Sequence, residues 1–243
     1  MTFSSAGLRL SAALALALCA AAPNVAFAQS NGPAPGAAAP ARQSSSALGR
    51  QLIAATDAGN AAEAARLLAA GAELEWRDGR QRTALMAATQ RNNVEIARLL
   101  IARGADVNAK DNNFDSPYLL AGASGYLDIL KLTLANGANL KSLNRFGGTA
   151  LIPACERGHV EVVATLIAAG VAVDQVNRLG WTCLLEAIIL GDGGPRQTEI
   201  VRRAVAAGAN VNLADGDGVT PLAHATKRGY ADIVAILRSK GAR

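Results

Sequence analysis

Aromatic residues make up only 4% of this 243-residue chain, although half of it (51%) is apolar. Alanine and leucine carry the hydrophobicity, which favours helices over sheets. No block of Lys and Arg concentrates the modest net charge of +5. That argues against nucleic acid as a partner, because phosphate binding needs a basic stripe. No apolar run reaches the ~20 residues that span a bilayer. Histidine is scarce too: His159 and His224 are the two present. They fall two repeats apart in the periodicity described below, so they are not expected to share a metal. Neither cofactor nor metal is therefore expected.

The longest apolar run is near the start. Arg9 precedes Leu10–Ala22, and Ala26-Phe27-Ala28 offers a small-x-small cleavage pattern. This reads as an export signal over residues 1–28, with Cys19 inside the discarded leader. The expected destination is the periplasm. Residues 29–47, QSNGPAPGAAAPARQSSSA, are rich in Pro, Ala, Gly and Ser and read as a flexible linker.

The remainder, 48–243, repeats. Thr83, Ser116, Thr149 and Thr182 fall 33 residues apart, and Thr220 follows. Each opens a short Ala-rich segment suited to a helix whose free N–H groups the hydroxyl can accept. Pro117 and Pro221 stand next, where no donor is lost. A second amphipathic segment follows and ends at Gly104, Gly137, Gly170, Gly208 or Gly241. Two such helices cannot bury their shared face alone and must stack. Repeats are expected at 48–77, 78–110, 111–143, 144–176, 177–214 and 215–243.

This helix–turn–helix period, with its Thr-Pro-Leu start, resembles the ankyrin repeat. SPYLLAGASGYLDILKLTLANGA and DGVTPLAHATKRGYADIVAILRSKGA carry the likeness best. RFGGTALIPACERGHVEVV and NRLGWTCLLEAIILGDGG resemble, more narrowly, a subgroup of small bacterial ankyrin-repeat proteins. The resemblance implies an all-α solenoid that is not an enzyme, and a protein partner held in its concave groove. The chain would act as scaffold, stabiliser or inhibitor, as a monomer. The His that the family carries two residues after the Pro is replaced by Met86, Leu119, Ile152, Leu185 and Ala223. Apolar packing must then replace its bonds between repeats.

The resemblance also says which positions line the groove: the hairpin tips, the residue four after each Thr, and the two before the inter-helix turn. In repeats four and five these give Arg145, Phe146, Glu156, Arg157, Arg178, Leu179, Trp181 and Glu186. Phe146 and Trp181 are expected at neighbouring tips, with arginines beside them, which is the composition of a binding hot spot. Alternatively Trp181 plugs its own hairpin, and the charges form salt bridges between repeats. Arg80, Arg82 and Arg91 make a smaller basic patch, for an acidic segment or for solubility. Trp76, in the first hairpin beside Arg77, is expected to pack against the N-terminal cap. Cys155 and Cys183 should lie on neighbouring helices but more than a turn apart in height, which argues against a disulfide.

A competing reading places a small-ligand or hydrolytic site around Glu186, Asp192 and the insertion at 191–198. It requires a closed apolar pocket shared by both carboxylates and a raised pKa. The spacing from Gly191 to Gly208 is 17, against 12 from Gly158 to Gly170. The extra length should fall in the turn between paired helices.

Overall fold

The computed structural model describes residues 44–243, so the expected leader and residues 29–43 of the expected linker lie outside it. The described residues form twelve helices and no strand. Helix α1 (Ser45–Asp57) begins three residues before the expected repeat boundary and pairs with α2 (Ala61–Ala69). The pairs that follow are α3 (Ala84–Gln90) with α4 (Val94–Ala102), α5 (Pro117–Ser124) with α6 (Leu127–Ala135), and α7 (Leu151–Glu156) with α8 (Val160–Ala168). Then come α9 (Cys183–Ile189) with α10 (Pro195–Ala206), and α11 (Pro221–Lys227) with α12 (Ala231–Ser239). First helices stack on first helices and second on second. No helix among the described residues is long and apolar enough to cross a membrane.

Hydroxyl caps start the first helices. Thr83, Ser116, Thr182 and Thr220 accept from Met86, Leu119, Leu185 and Ala223 N–H. Thr149 is the exception, and its hydroxyl is buried without a partner. Pro153 explains part of this. In the other repeats the residue at that position donates to the Ser or Thr carbonyl, as Glu186 does to Thr182. Proline has no N–H to give, so α7 starts late, at Leu151. In place of the family histidine, Met86, Leu119, Ile152 and Leu185 are buried, so apolar packing fills those positions, but Ala223 in the last repeat is exposed and does not.

The stack brings Cys155 and Cys183 into a disulfide, with their Cα atoms 5.4 Å apart. The expectation that height separates them is therefore wrong, and the reason lies in the helix offset. One repeat earlier, a Cβ on Gly122 would come within 2.8 Å of Ala150 Cβ. Gly122 and Ala150 are the positions equivalent to Cys155 and Cys183. Neighbouring first helices are thus displaced along each other, so the sixth residue after one cap meets the first residue after the next.

The insertion also differs from expectation. Part of it lengthens a helix: α10 has 12 residues, where α4, α6, α8 and α12 have 9. The rest forms a loop that the next repeat holds. Tyr230 donates its hydroxyl proton to Gly191 O at 2.9 Å, and its ring lies against Gly193. At the N-terminal end, Trp76 packs on Gly49 of α1, with Arg50 over its ring at 5.9 Å.

Candidate functional site

Each five-residue hairpin tip closes with a backbone bond across it, as in Asn144 N–H to Gly148 O and Asn177 N–H to Trp181 O, and a second within it, as in Gly147 N–H to Asn144 O. The Asn144 side chain accepts from Phe146 and Gly148 N–H, and Asn177 accepts from Leu179 and Trp181 N–H. These short side-chain bonds fix the tips. Arg178 N–H donates to Phe146 O, joining the two fingers, and the Arg178 side chain packs under Gly147.

Between the fingers of repeats four and five and the helices α7 and α9 lies a cleft of about 370 Å³. Phe146 and Leu179, 54% and 58% exposed, stand at its rim. Arg145 lies over the Phe146 ring at 4.8 Å and donates to Asn113 Oδ1 at 3.2 Å. Arg157 reaches back to Ala123 O at 2.7 Å, capping the end of α5. Glu156 and Glu186 also line the cleft.

Glu186 is 5% exposed, buried in the cleft wall where a residue facing the open groove was expected. Its Oε1 accepts from Asn177 Nδ2 at 2.7 Å. The Asn177 oxygen already receives two backbone N–H groups, so its amide nitrogen has to face Glu186. Burial pushes the Glu186 carboxyl up to about 7. The Glu156 charge adds to the effect, and the Asn177 bond and Arg157 oppose it. Repeat six has the same link at the same offset: His224 Nε2 and Asp215 Oδ2 are 2.6 Å apart. That bond holds the Asp215 carboxyl below its usual range, so His224 is a paired residue and not a free surface histidine.

Seven of the eight expected groove residues surround this cleft or brace its rim. Trp181 is half-buried and does not line it. Leu179, two residues earlier, takes the place beside Phe146. None of Arg145, Glu156, Arg157, Arg178 and Glu186 joins a salt bridge among the described residues, so the expected alternative of a network between repeats does not form. The basic patch of repeat two is largely neutralised. Arg82 bridges Asp57 and Asp78, and Arg91 bridges Asp57.

The competing small-ligand reading is corrected on geometry. Asp192 is not among the residues lining the Glu186 cleft; its Oδ1 accepts Gly194 N–H in the inter-helix loop. The raised pKa is present, but the two carboxylates do not share the cleft.

Phe114 was not among the expected contacts. It is 61% exposed at the tip of repeat three, with φ of 61°. Gly147, Gly180 and Gly218 hold the equivalent left-handed position in the next three repeats. A phenylalanine there, where the pattern otherwise moves to glycine, was the signal available in the sequence.

Comparison with known proteins agrees with this architecture. The family model "Ankyrin repeats (3 copies)" matches residues 118–193, and the single "Ankyrin repeat" model matches 80–112. The crystal structure of an ankyrin repeat domain from Acinetobacter baumannii AYE is 56% identical, with a TM-score of 0.78; the match covers 79% of this chain and 98% of that one. The ankyrin repeat protein EF0377 is 35% identical with a TM-score of 0.75, over 79% of this chain and 97% of its own. The ankyrin repeat protein YahD of Escherichia coli K12 is 44% identical over 57 residues. That match spans 24% of this chain and 28% of the length of YahD. With the repeat period, the stacked helix pairs and these relatives in agreement, the chain belongs to the ankyrin-repeat family.

Proposed function

We propose that this chain is an exported, non-enzymatic module of protein–protein interaction, as ankyrin repeats generally are, and that it holds a protein partner in the groove of repeats four and five as scaffold, stabiliser or inhibitor. The observation that carries the reading is the pair Phe146 and Leu179. Two large apolar side chains stand exposed on adjacent fingers above a cleft, in a chain with few aromatics. Neither is needed to fill the core, and exposed anchors flanked by arginine are what binding hot spots use. The Arg145, Glu156, Arg157 and Arg178 side chains supply a polar rim of both signs.

Export is supported by the leader-like start and, independently, by the disulfide, which suits an oxidising compartment. A chain that works as a single copy fits both, since the groove needs no second copy to complete it.

The test is affinity capture from the exported fraction of a native host, with wild type and the Phe146→Ala/Leu179→Ala double variant as bait. The partner should be retained by wild type and lost, by more than about tenfold, from the variant. Identical retained sets would remove the groove assignment.

A further inference from the structure

Glu186 spends one carboxylate oxygen on Asn177, and its Oε2 makes no hydrogen bond with any described residue. The side chain is buried, yet it lines the cleft. Glu156, from the neighbouring first helix, lines the same cleft and forms no salt bridge among the described residues. The two arginines of the cleft do not satisfy these acids. Arg157 is directed at Ala123 O, and Arg145 lies on Phe146 and Asn113. On the side of repeat six, His224 is taken by Asp215, and Arg228 donates to the Ile188 and Ile189 carbonyls. The cleft therefore has two unpaired acids in its lining, an exposed phenylalanine and leucine at its mouth, and cations committed elsewhere.

Such a site is complementary to one kind of group: a long side chain with an apolar stem and a positive head. We propose that the cleft takes a lysine or arginine side chain of the partner, its head set between Glu156 and Glu186 and its stem against Phe146 and Leu179. This rests on the groove reading above and adds the chemistry that the groove selects. A buried carboxylate with no ion pair is costly, and the charge of Arg157 offsets that cost only in part. The arriving cation removes that cost, and the carboxyl gives up its proton as the cation enters. Asn177 does not oppose the change, because its amide donor suits the acid in either state. Glu186 loses its proton near neutrality in the free protein. Binding therefore strengthens as pH rises from 6 to 8, by about tenfold, as the ionised fraction grows from about a tenth to about nine tenths.

A random dodecapeptide library displayed on phage, selected at pH 8 against residues 29–243, supplies the probe. Selected peptides are then synthesised and titrated at pH 6 and 8 against wild type, Glu186→Gln and Phe146→Ala/Leu179→Ala, with circular dichroism to verify each fold. The expected peptides share one Lys or Arg, lose binding to the double variant, and weaken at least tenfold when that residue becomes norleucine. Their pH dependence should vanish in Glu186→Gln. Peptides that need Phe146 and Leu179 but carry no essential basic residue, or ignore Glu186→Gln, would overturn this inference and leave the groove reading standing. If no peptide depends on Phe146 and Leu179, both fail.

Discussion

Cys155, near the end of α7, is bonded to Cys183, the first residue of α9, across 28 residues of sequence. The bridge ties repeats four and five together, with Cys155 next in sequence to the cleft-lining Glu156. Closing a loop of that length removes unfolded-state freedom worth about 3.5 kcal/mol. The Cys155→Ala/Cys183→Ala variant should be less stable by roughly 2–4 kcal/mol in urea titrations. Reductant should produce a similar loss in wild type and none in the variant. A native chain in which Cys155 and Cys183 label with a thiol reagent before reduction would show that the bridge does not form.

Glu186 should make stability depend on pH in the direction opposite to a salt-bridged acid. Its carboxyl, ordinarily near 4.5, is pushed up to about 7 in the folded chain. Between those values the folded chain holds a proton that the unfolded chain has released. Stability contributed by the protonated acid is therefore present at low pH and lost as pH rises to about 7, by up to roughly 3 kcal/mol. Glu186→Gln keeps an acceptor for Asn177 and has no charge to bury. It should match wild type near pH 5 and exceed it at pH 8. Parallel pH profiles for the two proteins would contradict the burial described.

These two outcomes mark where the sequence was legible. The 33-residue period, the hydroxyls at its start and the closing glycines point to the five helix pairs from Thr83 onward, because each follows from local chemistry; the first pair lacks that start, and its first helix begins within the expected linker. The disulfide was not legible. Whether position six of one helix meets position one of the next depends on how neighbouring helices slide, and that is set by packing between repeats. Glu186 was read onto the open groove face for a similar reason. Its carboxylate accepts a hydrogen bond from Asn177, nine residues earlier, which links the finger to α9. The same interval separates Asp215 from His224. That shared offset was in the sequence, but only the folded finger gives it meaning. Leu179 and Trp181 were both read onto the groove, and only Leu179 lines it, because the twist of a five-residue tip decides which of its side chains turns toward the cleft.

Phe114 should cost the fold something that glycine would not. Its left-handed backbone is unfavourable for a residue with a Cβ by about 1–2 kcal/mol. The greater unfolded freedom of glycine returns part of that. Phe114→Gly should therefore stabilise the chain by about 0.5–1 kcal/mol in thermal or urea melts. An unchanged or lowered midpoint would mean that the exposed ring contributes contacts of its own.

Phe146→Ala and Leu179→Ala, in contrast, should leave stability within about 0.5 kcal/mol of wild type, since both side chains are largely in solvent. Melts of the single variants check this. A larger loss would reassign the rim pair from recognition to scaffold.

The inserted loop should tolerate little change at Gly193, whose φ is +69° and where a Cβ would come within 2.3 Å of the Tyr230 ring. Gly193→Ala should destabilise by more than about 1 kcal/mol. Tyr230→Phe should cost about 1 kcal/mol through the hydrogen bond to Gly191 O. Urea titration of each variant reads both values.

Arg228 and Tyr230 give repeat five a dependence that runs in one direction along the chain. The carbonyls that end α9 and the loop that follows it are both held by side chains more than thirty residues downstream. During synthesis, α9 and its loop would leave the ribosome before the groups that secure them exist. The cleft wall that carries Glu186 would then reach its final form only once the last repeat had docked, so a chain lacking its C-terminal helices would present an incompletely built cleft.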